Sequence, residues 1–345
     1  MKESHDLQLT IIVPVYNVEK YIRPCIESIF KQGLDDADFE VIIVNDGTKD
    51  RSMEMINDII SQHDNISIIT QENQGLSVAR NNGIVAAKGE YILMPDSDDL
   101  LIENSLKPLL EISLESQADL IVADFLRLTD KEIEHKSDFI PHIIPIVQAE
   151  TTGHELFIGD IIPNECYVWR TLYRKEFIIN NHLHFFPGIY FQDIPFTHEC
   201  YLRAQKCIRT NRLLNVYRIG HQSASAPSSF KMKNARDFCI AITKSWELRN
   251  IEGLSDIVKR KMMDSAYISY RNLVYRTIYG IESVSQKVHV LKMLRKMAPD
   301  LKFSNNSKQL ITTFLFKHTP CIVIYLMLVL KVYKSKHLKT WKKYR

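Results

Sequence analysis

Five runs of apolar, largely β-branched residues punctuate the first 125 positions: LTIIVPV (9–15), FEVIIVN (39–45), ISIIT (66–70), YILM (91–94) and DLIVADF (119–125). A strand that alternates apolar and polar residues keeps one face in water, whereas a continuously apolar strand is covered on both faces. Segments with helical spacing lie between the runs, at Val18–Gln32, Arg51–His63, Leu76–Lys88 and Asn104–Gln117. This alternation argues for a doubly wound α/β sheet covered by helices. Ligands of such sheets bind beyond the carboxyl ends of the strands. Three loops are thereby singled out: VYN (15–17), NDGTKD (45–50) and PDSDD (95–99).

Beyond residue 125 the pattern loosens into isolated prolines, aromatics and short helices such as Asp193–Ala204. From about 228 to 298 it becomes mainly helical. The expected organisation is an α/β region over 1–225, a helical region over 226–300 and a distinct segment over 301–345. At 45% hydrophobic and 25% charged residues the chain has the composition of a soluble globular protein. Its six cysteines (25, 166, 200, 207, 239 and 321) form no C-x-x-C pair, which suits buried thiols in a reducing compartment better than a disulfide framework. No apolar stretch of signal-peptide length precedes the first strand, which disfavours export and leaves a cytoplasmic location as the expectation.

The net charge of +3 is unevenly spread, because ten basic and no acidic residues follow Asp300. Within this segment TPCIVIYLMLVL (319–330) is apolar, but a spanning helix needs about 20 such residues. Either the run packs on the body, or it joins the following basic residues in holding the protein to an anionic membrane surface. Nucleic acid is not an expected partner, since the body is acidic and carries no recognised binding motif.

The loop PDSDD places Asp96, Asp98 and Asp99 at the end of a buried strand, where crowded carboxylates need a cation, helix-end donors or water. A second Asp-x-Asp, Asp36-Ala37-Asp38, precedes a strand and so lies at the opposite end of the sheet, as a solvated loop. Mg²⁺ and Mn²⁺ favour carboxylate and phosphate oxygens, so the first cluster is a candidate site for a metal that neutralises a diphosphate. Asp98 or Asp99 could instead cap the helix that begins near 102–104. No P-loop, G-x-G-x-x-G, G-x-S-x-G or H-E-x-x-H pattern offers a competing chemistry. His182 and His184 would share one face of a possible strand, an arrangement more often structural than metal-binding.

In this order, IIVPVYNVEKYIRPCIESIFKQ, EVIIVNDGTKDRS, ENQGLSVARNNGIVAAKGEYILMPDSDD, YVWRTLYRKEF and IYFQDIPF resemble the family 2 inverting glycosyltransferases of the GT-A fold over about the first 220 residues. The resemblance implies an α/β GT-A domain over 1–225, with a donor half to about 125 and an acceptor half after it. It implies transfer of a sugar from a nucleoside diphosphate, often UDP, to an acceptor hydroxyl with inversion. Residues Pro14, Val15, Tyr16 and Asn17 would meet the nucleobase, Tyr16 by stacking, and Asp46 would accept the ring N–H of uracil. Arg80, flanked by Asn81, would pair with base or phosphate, or form a surface salt bridge. Asp96 and Ser97 would hold the ribose, and Asp98 the divalent metal, Mn²⁺ or Mg²⁺, with His221 as a further ligand. The acceptor side would comprise Trp169 and Arg170 (Trp169 being equally at home in a core) and Gln192, where the family has Glu. Asp193 would be the general base, a role compatible with capping the helix that follows. The acceptor expected is a lipid-linked or growing oligosaccharide of a surface polysaccharide. The competing readings are a non-catalytic donor-binding subunit and a sugar-phosphate nucleotidyltransferase, the latter lacking its glycine-rich first loop here.

Overall fold

The computed structural model describes residues 7–135, 147–160, 166–220, 230–303 and 307–327. Contacts divide the chain into two compact units: Met1–Asp160, Cys166–Gly188 and Phe196–Gln222 form one, and Ile161–Glu165, Ile189–Pro195 and Ser223–Arg345 the other.

The first unit begins β1 (Leu9–Val15), α1 (Ile22–Ile29), β2 (Phe39–Asn45), α2 (Asn57–Gln62), β3 (Ile66–Thr70), α3 (Leu76–Ala86) and β4 (Tyr91–Leu93). It continues through β5 (Leu100–Leu101), α4 (Leu106–Ser116), β6 (Leu120–Thr129), α5 (Asp130–His135), β7 (Gln148–Thr151) and α6 (Gly153–Gly159). Then follow β8 (Thr171–Arg174), α7 (Lys175–Asn180), α8 (Asp193–Arg203, whose residues to Pro195 belong to the second unit) and β9 (Cys207–Ile219). The sheet order is β3-β2-β1-β4-β8-β6-β9-β5, with β7 on β9. Strands β3, β2, β1 and β4 are parallel, as the continuous apolar runs imply. The fifth run does not lie beside the fourth. β8 intervenes, antiparallel to both β4 and β6, because Tyr91 pairs with Arg174 and Leu120 with Tyr173. With the mixed sequence TLYR, β8 has no continuous apolar run to announce it as a strand.

Residues Leu9, Ile11, Val13 and Val15 of β1 join a core with Ile22, Ile26 and Ile29 of α1 and Leu106, Leu109 and Leu110 of α4. On the other face α3 closes onto β1 at Gly83, where a Cβ would stand 2.3 Å from Ile12 Cγ2. β3 departs from the expectation of two covered faces: Ile68 is 45% exposed, since α3 packs on β1 and β2 and leaves this edge strand open. α1 is shorter than its helical spacing suggests. The N–H groups of Val18 and Glu19 are held by Ser52 Oγ (3.0 Å) and Asp50 Oδ2 (2.9 Å), which keeps this stretch out of the helix.

The second unit contains α9 (Met232–Glu247), α10 (Asp256–Gly280), α11 (Val284–Met297) and α12 (Ser307–His318), followed by a helical stretch over 321–327. Buried Ala235, Phe238, Cys239, Ile242 and Trp246 give α9 the 3-4 spacing of a single apolar stripe, and it packs on α10 and α11. Ser255 and Ser283 cap α10 and α11 by accepting from Val258 and Gln286 N–H. In the apolar run 319–330, Cys321 and Ile324 are buried while Ile322, Val323, Leu326 and Met327 are exposed; residues 328–345 lie outside the described residues. Among the described residues no helix is long and apolar enough to cross a membrane.

Candidate active site

β4 delivers the chain through buried Met94 and Pro95 into a turn closed by the Asp99 N–H donating to Asp96 C=O (3.1 Å). Oxygens of Asp96, Asp98 and Asp99 lie within 4.8 Å of one another. Asp99 is 2% exposed; its Oδ1 accepts the Arg218 N–H at 2.8 Å, and its Oδ2 is buried without a partner. The Arg218 guanidinium donates to Asp98 C=O (2.8 Å) and to Asp130 (2.6 Å). The helix-cap alternative for Asp98 and Asp99 is therefore set aside. α4 begins at Leu106, and the Gln32 side chain accepts the N–H groups of Ser105 (3.1 Å) and Leu106 (2.9 Å). Asp99 instead ties the carboxylate loop to β9.

Arg80 Nη2 donates to Asp96 Oδ1 at 2.5 Å, and Arg80 is 2% exposed with its guanidinium 5.2 Å from the Phe185 ring. A surface salt bridge is thus excluded: this is a buried partner. Asn81, next to it, exchanges two hydrogen bonds with the backbone of Phe185 (2.8 Å each), a structural tie. Burial, together with the charge of Asp98, pushes Asp96 up to about 6 despite Arg80. Burial and the charges of Asp96 and Asp98 push Asp99 up to about 9. Crowding this costly, with one buried oxygen unpaired, fits a hard divalent cation, for which an all-oxygen donor set is suited. Half-buried Asp98 and Asp96 would hold it, with Asp99 behind them.

The loop after β2 is held by Asp46, 3% exposed. Its Oδ1 accepts from Gln71 Nε2 (2.8 Å) and Gln74 N–H (2.8 Å), and its Oδ2 from Asn73 Nδ2 (3.0 Å) and Gly75 N–H (2.9 Å). Gly47 follows at φ +66°, where a Cβ would press on the Asn73 nitrogen at 3.0 Å. Asp46 thus fixes the entry to α3, and α3 carries Arg80 to Asp96. Pro14 and Val15 are buried in β1, and the Val15 carbonyl accepts the Asp46 N–H (3.0 Å), so these two set the loop without exposing side chains. Tyr16 is 42% exposed, its ring open to stacking. Asn17 adopts a left-handed φ of 55°, with its N–H on Thr48 Oγ1 (2.8 Å). Ser97 is buried.

Trp169, 2% exposed, stacks on Tyr167 (4.7 Å) and Tyr217 (5.5 Å), so it supports those half-buried rings from beneath. Arg170 is buried in an ion pair with Asp160, which also binds Arg209. His182 and His184 lie in no strand; His182 is left-handed and its carbonyl meets His184 Nδ1 (3.0 Å). His221 lies outside the described residues. In the second unit, Gln192 is buried with its Oε1 unpartnered, and half-buried Asp193 sits in the first turn of α8. A neutral amide costs less than a carboxylate in that dry position, which gives a physical reason for Gln where the family has Glu. Sequence reasoning missed Gln32, Gln71, Asn73 and Arg218. Their partners are distant in sequence, and glutamine, asparagine and arginine carry no spacing signal of their own.

Residues 10–178 match the family model for glycosyl transferase family 2. The uncharacterized glycosyltransferase EpsJ of Bacillus subtilis is 36% identical over 221 residues, 61% of this chain and 60% of EpsJ, so the chain spans less than two thirds of that relative. Among solved structures, TarS 1–349 of S. aureus in complex with UDP-GlcNAc superposes with a TM-score of 0.71 at 18% identity, covering 92% of this chain and 89% of TarS. The mannosyltransferase PcManGT of Pyrobaculum calidifontis, in complex with GDP-Man and Mn²⁺, gives 0.54 at 12% identity over 92% and 87% of the two chains. These likenesses agree with the sheet order and the α/β layering. Residues 10–178 thus form a glycosyl transferase family 2 domain, and the chain has the GT-A fold.

Proposed function

We propose that the protein is an inverting, metal-dependent glycosyltransferase that moves a sugar from a nucleoside diphosphate, UDP in the first instance, to a hydroxyl of a lipid-linked or growing oligosaccharide. The observation that carries this reading is the convergence of Asp96, Asp98 and Asp99 within 4.8 Å at the carboxyl end of β4. The UDP-GlcNAc held by TarS and the Mn²⁺ in PcManGT support the donor and metal classes by analogy of fold. Asp98 and Asp96 would hold the cation, which when bound neutralises the diphosphate as it departs. Asp96, anchored by Arg80, would also meet the ribose beside Ser97. Tyr16 would stack on the base. Asp46 would receive the ring N–H, since two of its present donors, Gln71 and Asn73, are side-chain amides that can rotate aside.

Asp193 would take the proton from the acceptor hydroxyl, a general-base contribution of about 10²–10⁴-fold. The test is nucleotide release from a panel of nucleotide sugars with Mn²⁺, with and without acceptor extract. Asp193→Asn should abolish transfer while leaving UDP binding intact. No release with any donor would favour a non-catalytic binding subunit. For the acceptor, support comes from exposed Ile322, Val323, Leu326 and Met327 and from the cleft that Ile322 and Cys321 share with Lys292, Arg295 and Lys296. Apolar side chains rimmed by cations suit an anionic membrane surface, where lipid-linked acceptors reside. Deleting residues 310–345 should move the protein from the membrane to the soluble fraction, and an unchanged partition would remove this part of the reading.

A further inference from the structure

The second unit contains a buried carboxylate that the fold alone does not require. Asp237 on α9 is 1% exposed; its Oδ2 accepts the Tyr190 N–H at 3.3 Å and its Oδ1 is buried without a partner. Burying a carboxylate against a single backbone donor is unfavourable even with the charges of Lys233 and Arg236 nearby, and apolar side chains fill the neighbouring positions of this stripe at lower cost. The turn it holds is itself strained. Phe191 has a φ of 61°, a left-handed conformation rare for an aromatic residue. Its ring is clamped against Phe238 (centroids 4.4 Å apart, 24° between planes), with the Arg276 guanidinium 5.8 Å from the ring centre and Phe230 at 6.5 Å. The Phe191 carbonyl then accepts the Ile194 N–H (3.3 Å) as α8 starts, so Gln192 and Asp193 sit on a turn gripped from α9 and α10. Strain of this kind persists only where the surroundings over-determine it, and it gathers at functional sites.

We infer that Asp237 is a positioning residue for the reaction: with Phe238 and Arg276 it locks the 190–193 turn and so aims the Asp193 carboxylate. This rests on the reading of Asp193 as the base.

The experiment compares Asp237→Ala, Asp237→Asn and Phe238→Leu with wild type in the full chain, counting folded molecules by UDP-binding stoichiometry. Asp237→Ala should lower kcat roughly 10- to 100-fold, the scale of a small misplacement of a reacting group, with donor KM and UDP affinity unchanged. Asp237→Asn, whose amide oxygen still accepts from Tyr190, should recover most of the rate. Phe238→Leu keeps the core apolar but loosens the clamp, and should lower kcat several-fold. If Asp237→Ala does not fold, the other two variants carry the test: full kcat in Phe238→Leu, or loss of activity in Asp237→Asn, overturns the assignment. A structural role alone would lower the folded fraction and leave kcat per binding site unchanged. Asp193→Asn serves as the control. Wild-type transfer by Asp193→Asn removes the base reading and this inference with it, whereas inactive Asp193→Asn beside fully active Asp237→Ala removes only the inference.

Discussion

Two Asp-x-Asp segments of the first unit, Asp36-Ala37-Asp38 and Asp96-Ser97-Asp98, share their letters and differ in which end of a strand they occupy. The first precedes β2. Asp36 is exposed and faces His63 at 3.5 Å, and the Asp38 carbonyl accepts the N–H groups of Gln8 and Leu9 (2.9 and 3.2 Å), so the segment seals the amino end of the sheet. The second follows β4, where its carboxylates converge with Asp99, one oxygen is buried without a donor, and a buried arginine is recruited to Asp96. Strand direction decides between them. At the carboxyl ends of parallel strands the chain leaves the sheet toward the ligand crevice, and there the cation-bearing substrate of the proposed function would offset a cluster of like charges.

The contrast breaks most sharply on activity. Asp98→Ala should reduce nucleotide release by about 10³-fold at saturating Mn²⁺, on the scale of losing a charge-stabilising group, whereas Asp36→Ala should stay within about twofold of wild type by the same assay. Equal losses in the two variants would dissolve the distinction.

Stability comes next. Arg80→Ala strips half-buried Asp96 of its buried cation and should cost roughly 2–3 kcal/mol in urea unfolding without metal, between the exposed and fully buried limits. Asp36→Asn, at an exposed pair, should cost about 0–1 kcal/mol.

A smaller effect is the pH profile. Asp96 and Asp99 titrate at about 6 and about 9 in the fold, above the ordinary carboxylate value of 3.8. The folded state therefore binds more protons than the unfolded state, and stability present at acid pH is lost as pH rises through these values. The metal-free Tm should fall between pH 5 and 9. The Tm increase on adding Mn²⁺ should grow over the same span, because the ligands must deprotonate. A metal shift independent of pH would count against the cluster as the binding site.

Much of this was legible before any coordinates. The apolar runs announced β1, β2, β4 and β6, and the Asp-x-Asp after a strand announced the carboxylate cluster beyond β4, because burial and strand direction leave periodic and positional traces. Other features left none. Arg218 reaches Asp99 across 119 positions, and Gln32 caps α4 from 73 and 74 positions away. Trp169 could be core or acceptor wall by its letter alone, and only the structure shows it buried in a stack with Tyr167 and Tyr217. Asp99, undecided between cap and metal neighbour, turned out to accept a hydrogen bond from β9, a partner its letter does not announce.

The sequence by itself determined the parallel half of the sheet and the placing of the carboxylate loop at the carboxyl end of β4, since these follow from local polarity and chain direction. Only the tertiary structure decided which side chains hold these carboxylates and turns: Arg80 for Asp96, Arg218 for Asp99, and Asp237 and Phe238 for the turn before Asp193. Such pairings depend on distance in space, and a chain folded through a nine-stranded mixed sheet separates distance in space from distance along its length.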